Sequence, residues 1–592
     1  MRDDDGYADL KSYAAIGDGR TVALVARDGR VDWLPLPDLD RTPAFGALLD
    51  AQNGGYIALA PTQDFTVERE YVADTNVLAT TFTTPSGRVR VTDAMNTGVA
   101  GRLPWAELAR RIDGVEGEVE LCGVVRPGTC LNTASPWFED TAAGPVIRLD
   151  GLTMAVRVLG AADKTHDERE QRETRVRYVT SPGSRHLLAV VATEREPLFL
   201  PRPEHIDQGV DRTIDNWATW MDTFGWDGPW SEYVRRSALT LKTLIYAPTG
   251  AVAAAATTSL PESTSEAKNW DYRFAWSRDM AYTLQALFRF GLREETHGAI
   301  SWLMATIRRH GPDPRIFYRI DGRYPDGEVH EYDVPGWRAH RPVVAGNAAT
   351  DQLQLGVFGD LFSIVRLYVD NGNVLDAETG RTLAGVADTA CDVWQSKDSG
   401  MWELPTERHY TTSKMGCWKA LTDAVALAEL GQIPGSPERW RNEAERIRRW
   451  VDDHAWSSER NAYVWYPGSD QLDASVLLHA ISGFDRGPRM SSTLDALQAE
   501  LGAGPHLYRY SGASKVEGSF VACSFWMVSA LALVGRRDEA RAVLDQLVDA
   551  GNDVGLFAEM IDPATGEFLG NLPQALSHLA LMHAATTLAE EG

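Results

Sequence analysis

The sequence lacks the features that mark several classes of protein. Its 5 cysteines are scattered and odd in number, and no CxxC pair occurs, so zinc-finger signatures are excluded and buried thiols are expected. No apolar run approaches the roughly 18 residues of a membrane-spanning helix, and no apolar segment follows the acidic start Met1-Arg2-Asp3-Asp4-Asp5. We therefore expect neither a signal peptide nor a membrane span, and predict a cytoplasmic protein.

Positive charge is also scarce. The 592 residues include 58 Lys and Arg against 83 Asp and Glu, which gives a net charge of −25. Nucleic acids and anionic membranes bind basic surfaces, so neither is predicted as a partner. P-loop, GxGxxG and HExxH motifs are absent, and no His, Cys or carboxylate cluster has metal-ligand spacing. We predict no metal and no cofactor, and the negative charge is compatible with a neutral or cationic small molecule as the ligand.

Tryptophan, by contrast, is abundant. The chain has 19, and all but three of them follow residue 205. Such rings either fill a hydrophobic core or form flat apolar surfaces against which a ligand can stack. We interpret most of them as core side chains of a helical domain.

The first 205 residues have the pattern of a β domain. Short β-prone runs separated by turns such as Arg27-Asp28-Gly29 predict an antiparallel β-sandwich over residues 1–205. The charged stretch 164–175 is predicted as an exposed loop, and a linker helix is expected within 206–230. The predicted strands are 21–25, 76–82, 88–92, 118–125, 144–149, 152–158, 174–180 and 186–192.

From residue 231 the hydrophobic pattern changes to the helical period. Twelve segments in six consecutive pairs predict an (α/α)6 barrel over residues 231–592, with six inner and six outer helices. An open solenoid is less favoured, because no fixed repeat period is visible. The predicted helices are 231–247, 279–291, 294–310, 347–370, 376–394, 413–431, 436–454, 472–482, 489–501, 519–534, 536–550 and 573–589.

A short stretch between two of these helices, Asp398 to Glu403, carries a possible catalytic group. Glu403 directly follows Trp402, and an indole beside a carboxyl excludes water and raises the carboxyl pKa. A glutamic acid that stays protonated near neutral pH can act as a general acid. Taken alone, the stretch fits an ordinary exposed loop better, so its interpretation depends on the other motifs.

Those motifs, in their order and spacing, resemble glycoside hydrolase family 15, the glucoamylase-like family, over nearly the full length. They are Ile16-Gly17-Asp18-Gly19-Arg20, Asp28-Gly29-Arg30-Val31-Asp32-Trp33-Leu34, Asn269 to Asp279, Arg341-Pro342 with Gly346 to Gln352, Ser399 to Glu403, Glu517 to Phe520 with Ala522 to Trp526, and Glu559 with Gly570 to His578.

The resemblance implies an inverting exo-acting α-glucosidase on a barrel, with a β-sandwich in front. Glu403 matches the family's general acid and Glu559 its general base. Inversion requires an acid that protonates the leaving oxygen and a carboxylate on the opposite face of the sugar that activates water. Loops at one end of a barrel can bring two such groups together.

The resemblance also implies residues that bind the substrate. Arg278 and Asp279 match the pair that holds the nonreducing-end glucose in the family. The chemistry agrees with this role, because a fork of donors beside a carboxylate binds vicinal hydroxyls. A buried structural ion pair is the alternative. Trp270 is interpreted as a core residue. The loop cations Arg338, Arg341 and Lys414 are left open between surface cations and matches to family positions. The further candidates for substrate contact are Tyr272, Trp276, Trp337, Trp402, Arg338 and Lys414.

Three departures from the family pattern leave the linkage preference open. Leu404-Pro405-Thr406 stands where an Arg-Gly pair is common, and Met560 follows Glu559 where an acidic residue or Gln is common. Ser265 to Lys268 replaces a glycine-rich loop with an Arg. We expect these positions near the sugar that departs.

The predicted function is therefore release of β-glucose from the nonreducing end of small α-glucosides, with isomalto- or malto-oligosaccharides first. A trehalase is the alternative enzyme. A phosphorylase would not need the base, and a catalytically silent sugar-binding protein would need neither Glu403 nor Glu559. The presence of both residues disfavours these two readings. The oligomeric state is left open.

Overall fold

The structure is a computed structural model that describes residues 2–99, 101–141, 144–167, 172–194, 197–198, 200–311, 314–325 and 327–590. Its N-terminal part contains two antiparallel sheets, each of eight strands among the described residues. The helices that follow form an (α/α)6 barrel. The predicted fold class, a β-sandwich followed by a barrel, is confirmed. None of the helices in the described part of the chain combines the length and apolar character needed to cross a bilayer.

The sandwich strands follow one another without an intervening α-helix in the described residues. They are β1 (Tyr13–Gly17), β2 (Val22–Ala26), β3 (Arg30–Pro35), β4 (Pro43–Phe45), β5 (Gly55–Pro61), β6 (Thr66–Tyr71), β7 (Leu78–Thr84), β8 (Gly87–Met95), β9 (Ala106–Gly117), β10 (Val119–Pro127), β11 (Trp137–Thr141), β12 (Gly144–Leu149), β13 (Leu152–Leu159), β14 (Asp163–Asp167), β15 (Glu173–Thr180) and β16 (Arg185–Thr193).

The first sheet has the strand order β1-β2-β3-β5-β10-β15-β14, with β4 paired to β3, and the second has the order β11-β12-β13-β16-β9-β8-β7-β6. Along β5, buried and half-buried residues alternate, as expected of a strand with one face in the core. A charged pair lies between the sheets. The Arg110 guanidinium contacts both carboxylate oxygens of Asp93, at 2.7 and 3.0 Å, and donates to the Ile57 carbonyl of the facing sheet at 3.2 Å.

The prediction of a loop over 164–175 is wrong at both ends of that stretch. β14 pairs with β15 in the register Asp163 to Arg177 and Thr165 to Arg175. β14 is an edge strand, and edge strands commonly carry the charge that made this stretch read as a loop. Residues 168–171 lie outside the described residues.

A helix is present where the linker helix was predicted. α1 (Pro203–Met221) packs on the second sheet, where Arg111 of β9 contacts the carboxylates of Asp207 and Asp211 at 2.7 Å each. Asn96 donates to the Ile206 carbonyl at 2.9 Å. α1 therefore rests on the sandwich, and the division of the chain at residues 205 and 230 stays a prediction.

The barrel consists of an inner and an outer ring. The inner helices α3, α5, α7, α9, α11 and α13 each contact the next, and α13 closes the ring on α3. The helices are α2 (Ser231–Leu244), α3 (Ser277–Arg289), α4 (Arg293–His310), α5 (Gly356–Asp370), α6 (Ala377–Val393), α7 (Thr411–Glu429), α8 (Pro437–His454), α9 (Leu477–Ile481), α10 (Pro488–Leu501), α11 (Val521–Leu533), α12 (Arg537–Val548) and α13 (Ala575–Glu590).

Two inner helices are shorter than predicted. The predicted helix 347–370 begins only at Gly356, after a 3-10 turn over Ala348–Asp351, and α9 follows a 3-10 turn over Ala474–Val476. In the first of these, Asn347 caps the start of the 3-10 turn by accepting the Ala349 N–H at 2.9 Å, so this segment forms a separate turn ahead of the helix.

Short strands fix the loops between the helices. They are β17 (Ile245–Tyr246), β18 (Ala251–Val252), β19 (Thr258–Pro261), β20 (Asn269–Asp271), β21 (Ala275–Trp276), β22 (Phe317–Tyr318), β23 (His330–Tyr332), β24 (Val343–Ala345), β25 (Trp456–Ser457), β26 (Ala462–Tyr463), β27 (Gly502–Ala503), β28 (His506–Leu507), β29 (Ser519–Phe520), β30 (Met560–Ile561) and β31 (Phe568–Leu569). Of these, β29, β30 and β31 form one three-stranded sheet.

The buried Arg110–Asp93 pair generates a stability prediction. Arg110→Ala leaves the Asp93 carboxylate buried without its cation, which is expected to lower the free energy of unfolding by about 3–5 kcal/mol. Arg148 and Glu139 of the same sheet form a pair that is 39% exposed on both sides, so Arg148→Ala is expected to cost only about 0–1 kcal/mol. Urea unfolding followed by circular dichroism measures both, and equal effects would contradict the argument.

Candidate active site

A pocket of about 280 Å³ lies where the loops preceding the inner helices converge. The residues of its wall come from the segments before α3, α5, α7, α11 and α13, so positions hundreds of residues apart meet here. Its lining includes Glu262, Lys268, Trp270, Tyr272, Trp276, Arg278, Asp279, Asn347, Gln352, Met401, Trp402, Glu403, Leu404, Pro405, Arg509, Tyr510, Phe520 and Glu559.

Glu403 reaches the pocket from the loop before α7. Its backbone adopts φ 57°, a conformation that non-glycine residues rarely take and that is often found at functional sites. The Trp276 indole N–H donates to Oε1 of Glu403 at 2.9 Å. Burial raises the pKa of the Glu403 carboxyl, and the charges of Glu262 and Asp279 add to the rise, while Trp276 and Arg278 oppose it. The net effect favours the protonated form.

Glu559 enters from the loop before β30 and is 1% exposed. Its Oε2 accepts the backbone N–H of Asn571 at 3.3 Å. Gly570 has φ 72°, and a Cβ at this position would lie 2.5 Å from the same oxygen, so only glycine fits here. Burial raises the pKa of Glu559, and the neighbouring carboxyl of Glu262 raises it further.

Glu262, to which the sequence analysis gave no role, lies beside Glu559. The Tyr272 hydroxyl donates to its Oε1 at 3.1 Å, and the Arg509 guanidinium donates to its Oε2 at 2.9 Å. Arg509 also contacts both oxygens of Glu517, at 2.6 and 2.7 Å, and Lys268 donates to the same carboxylate at 2.7 Å. The wall of the pocket thus contains a continuous charged network.

Arg278 and Asp279 lie together in the pocket wall at the start of α3. Arg278 Nε contacts Asp279 Oδ1 at 2.9 Å, and its Nη1 donates to the Met401 carbonyl at 3.3 Å. Asp279 is 1% exposed and sits in the first turn of α3, where acidic side chains interact favourably with the unpaired backbone N–H groups. The pair therefore presents fixed donors and acceptors to the pocket.

The aromatic residues near the pocket either support other side chains or form part of the pocket wall. Trp276 is 1% exposed and packs on Phe317 with ring centroids 4.7 Å apart, so it supports Glu403 and presents little ring surface to a ligand. Trp402 is half-buried, with its N–H on Asp473 Oδ1 at 2.8 Å. Trp270 is 40% exposed at the pocket, which overturns its interpretation as a core residue.

Trp337 and Arg338, predicted to contact the substrate, are not among the residues that line the pocket. The Trp337 N–H donates to the Ala8 carbonyl at 3.0 Å. Arg338 pairs with Asp3 at 2.8 Å and also with Asp9. Both side chains instead hold the N-terminal segment against the barrel, and they are corrected to structural positions.

Lys414 is likewise corrected. Its ammonium group is buried and donates to the carbonyls of Trp394 and Ser396, the former at 2.7 Å. These carbonyls lie at the C-terminal end of α6, where a positive charge is favourable. Lys414 therefore fastens the start of the loop that carries Glu403.

Two polar side chains in the pocket wall have unused hydrogen-bonding atoms. Within the described residues, Asn347 Nδ2 and Gln352 Oε1 are buried without a protein partner, while Gln352 Nε2 donates to the Glu403 carbonyl at 3.1 Å. A donor and an acceptor are thus available to a hydroxyl-rich ligand. No group of three or more His, Cys, Asp or Glu in the described ranges is arranged to hold a metal ion.

The residues that depart from the family pattern differ in whether they line the pocket. Leu404, Pro405 and Lys268 line the pocket, whereas Met560 is buried in β30 and pairs with Phe520 of β29. Met560 therefore contributes to the sheet that holds Glu559 and does not face the ligand space.

Comparison with known proteins gives a consistent result. The model of glycosyl hydrolases family 15 matches residues 228–586, and a model described as trehalase-like, N-terminal, matches residues 7–122. The chain is 31% identical to a trehalase of Thermoplasma volcanium, over 99% of this chain and 94% of that protein. It is also 31% identical to a trehalase of Mycobacterium tuberculosis, over 98% of this chain and 89% of that protein.

A solved structure of a bacterial glucoamylase in complex with acarbose has the same fold, with a TM-score of 0.72 at 13% identity, over 100% of this chain and 95% of that chain. The family model covers more than half of the sequence, and the 31% identical relatives align with nearly all of it. The chain is therefore a glycoside hydrolase, and it belongs to glycosyl hydrolase family 15.

Proposed function

We propose that this protein is an inverting trehalase, which hydrolyses α,α-trehalose to two glucose molecules. The observation that carries the proposal is the meeting of Glu403 and Glu559 in one pocket whose wall also holds the Arg278–Asp279 pair. A protonated acid, a second carboxyl and a sugar-binding pair are the parts that inverting hydrolysis of an α-glucoside needs.

Two further findings support trehalose over the isomalto- and malto-oligosaccharides that the sequence placed first. The relatives compared above are named trehalases, and the similarity extends through the N-terminal region, where the matching model is described as trehalase-like. Trehalose, the alternative in the sequence analysis, therefore becomes the leading substrate. A cytoplasmic location and the absence of nucleic-acid and membrane partners stay predictions.

In the proposed mechanism, Arg278 and Asp279 hold the hydroxyls of one glucose ring. Glu403, kept protonated by burial and oriented by Trp276, donates its proton to the oxygen that joins the two rings. Glu559, in its ionised form, removes a proton from a water molecule that attacks the anomeric carbon from the opposite face. The carbon–oxygen bond to the second ring breaks as the bond to water forms.

We expect the second glucose ring to lie against Lys268, Trp270 and Leu404, which also line the pocket. Trp270 and Trp402 offer ring surface to its C–H face. Because trehalose joins two α-configured carbons, inversion at one of them gives β-glucose from the attacked ring and α-glucose from the departing ring.

This stereochemistry is the first test of function. In oxygen-18 water, the first minutes of turnover on trehalose should give equal amounts of α- and β-glucose, with the label only in the β anomer. Proton NMR and mass spectrometry measure both quantities. Two equivalents of α-glucose would contradict inversion.

A panel with maltose and isomaltose, using Glu403→Gln as the background control, tests the substrate, and faster turnover of isomaltose would contradict the trehalase proposal.

The roles of the two glutamates can be separated by the leaving group. Glu403→Gln and Glu559→Gln should each lower kcat on trehalose by about 10²–10⁴-fold. α-Glucosyl fluoride needs no protonation of its leaving group, so it should restore much of the activity of Glu403→Gln and little of that of Glu559→Gln. Glu407→Gln and Glu567→Gln, at exposed positions near each residue, are the matched controls. Rescue of Glu559→Gln alone would reverse the assignment.

Asp279→Asn tests the proposed grip on the nonreducing ring. Loss of a hydrogen bond from a charged group should lower kcat/KM about 10–100-fold, and by a similar factor on trehalose and on the fluoride, since both carry this ring. The melting temperature checks the fold. A variant that unfolds, while its folded fraction stays active, would return the pair to a structural role.

A further inference from the structure

Glu262 is a buried carboxyl group for which the mechanism above has no use. It is 1% exposed, it lines the same pocket as Glu559, and its carboxyl is a neighbour that raises the pKa of Glu559. Two neighbouring carboxyl groups in a buried site do not readily carry two negative charges, so the pair is expected to hold one proton between them. Glu559 is therefore one half of a carboxyl pair.

The backbone forces this neighbourhood. Glu262 follows β19 and Glu559 precedes β30, and the two loops are joined where the Gly570 N–H donates to the Pro261 carbonyl at 2.7 Å. The Gly518 N–H donates to the Glu262 carbonyl at 3.2 Å. The packing of the two loops therefore places Glu262 and Glu559 on neighbouring parts of the pocket wall.

Three charged or titratable groups and one backbone N–H face the pair. Arg509 and Tyr272 both donate to Glu262, and the charge of Arg509 also lowers the pKa of Glu559. Glu403 lies close enough for its own charge to interact with that of Glu262, and the Asn571 N–H contacts Glu559. The pKa of Glu559 is nevertheless raised by its burial and by Glu262, so Glu559 must lose a proton before it can act as a base.

We propose that Glu262 is a positioning residue that shares one proton with Glu559 and thereby sets the lowest pH at which the attacking water can be deprotonated. The inference rests on the proposed role of Glu559 as the base. In the active state, the shared proton lies on Glu262 or has left the pair, and Glu559 accepts a proton from water as the new carbon–oxygen bond forms. Glu403 loses one proton to the leaving oxygen in the same step, so the proton count of the site is unchanged.

The test is the pH dependence of kcat/KM on trehalose, whose acid limb reports the base of the free enzyme. In Glu262→Gln the neighbour carries no negative charge, and its amide donates to the ionised form of Glu559. Both changes favour the carboxylate, so the acid limb should move to lower pH by about one unit or more. The alkaline limb should move less, because Glu262 is one of several groups that act on Glu403.

Glu517→Gln is the matched control, because Glu517 contacts the same Arg509 but is not one of the groups that raise the pKa of Glu559. Its acid limb should stay near that of the wild type. An unmoved acid limb in Glu262→Gln, or an equal movement in Glu517→Gln, would overturn the proposal. Glu262→Asp keeps the charge but shortens the side chain. An acid limb near the wild-type position in this variant would show that the charge of Glu262, and not the length of its side chain, sets the limb.

Infrared spectroscopy of the wild-type protein gives a readout that does not depend on activity or on a folded Glu262 variant. The C=O stretch of a neutral carboxyl should be present below the acid limb, and the same band should be absent from Glu559→Gln. A wild type without this band would overturn the shared proton. Failure of the proposed function has a different signature, namely no turnover of trehalose or an active Glu559→Gln, while the band remains.

Discussion

Removal of carboxyl groups from water is the constraint on which this site depends. Glu262 and Glu559 are each about 1% exposed, and Glu403 is half-buried against Trp276. Buried carboxylates are unfavourable unless they are paired, protonated or hydrogen-bonded. The pocket uses all three means, because Glu262 has Arg509, Glu403 has an indole N–H, and Glu559 has a backbone N–H and a neighbouring carboxyl. Burial raises the pKa of Glu403 and of Glu559, whereas Glu262 is held in an ion pair with Arg509.

The barrel holds the carboxyl groups of the site in fixed positions. The residues of the pocket lie before the inner helices, and the neighbouring loops are tied to one another by hydrogen bonds that do not involve a ligand. Lys414 fastens the acid loop to the end of α6, Trp402 fixes it to Asp473 before α9, and Gln352 holds the Glu403 carbonyl. A small displacement of a reacting group lowers catalysis strongly, so these ties serve function as much as stability.

Much of this could be predicted from the sequence. The 3.6-residue period predicted the twelve barrel helices, and the order of the motifs predicted which loops meet. The sequence could not predict side-chain direction, because a residue next to a motif can point toward the pocket or away from it. Trp337, Arg338 and Lys414 point away, and Trp270 points in. Glu262 and Arg509 were missed because their importance lies in contacts with each other and with Glu559, across hundreds of residues.

The N-terminal region also helps to position the base. The hairpin formed by β30 and β31 begins directly after Glu559, and Lys11, just before the first sandwich strand, donates to the Gly566 carbonyl at the turn of that hairpin, at 3.2 Å. Asn552, on the approach to the same segment, donates to the Tyr13 carbonyl at 2.7 Å. The sandwich and the segment before it therefore brace the loop that carries Glu559 from the outside. The inner helices position the acid and the sugar-binding pair, whereas the base is held between the barrel and the N-terminal domain.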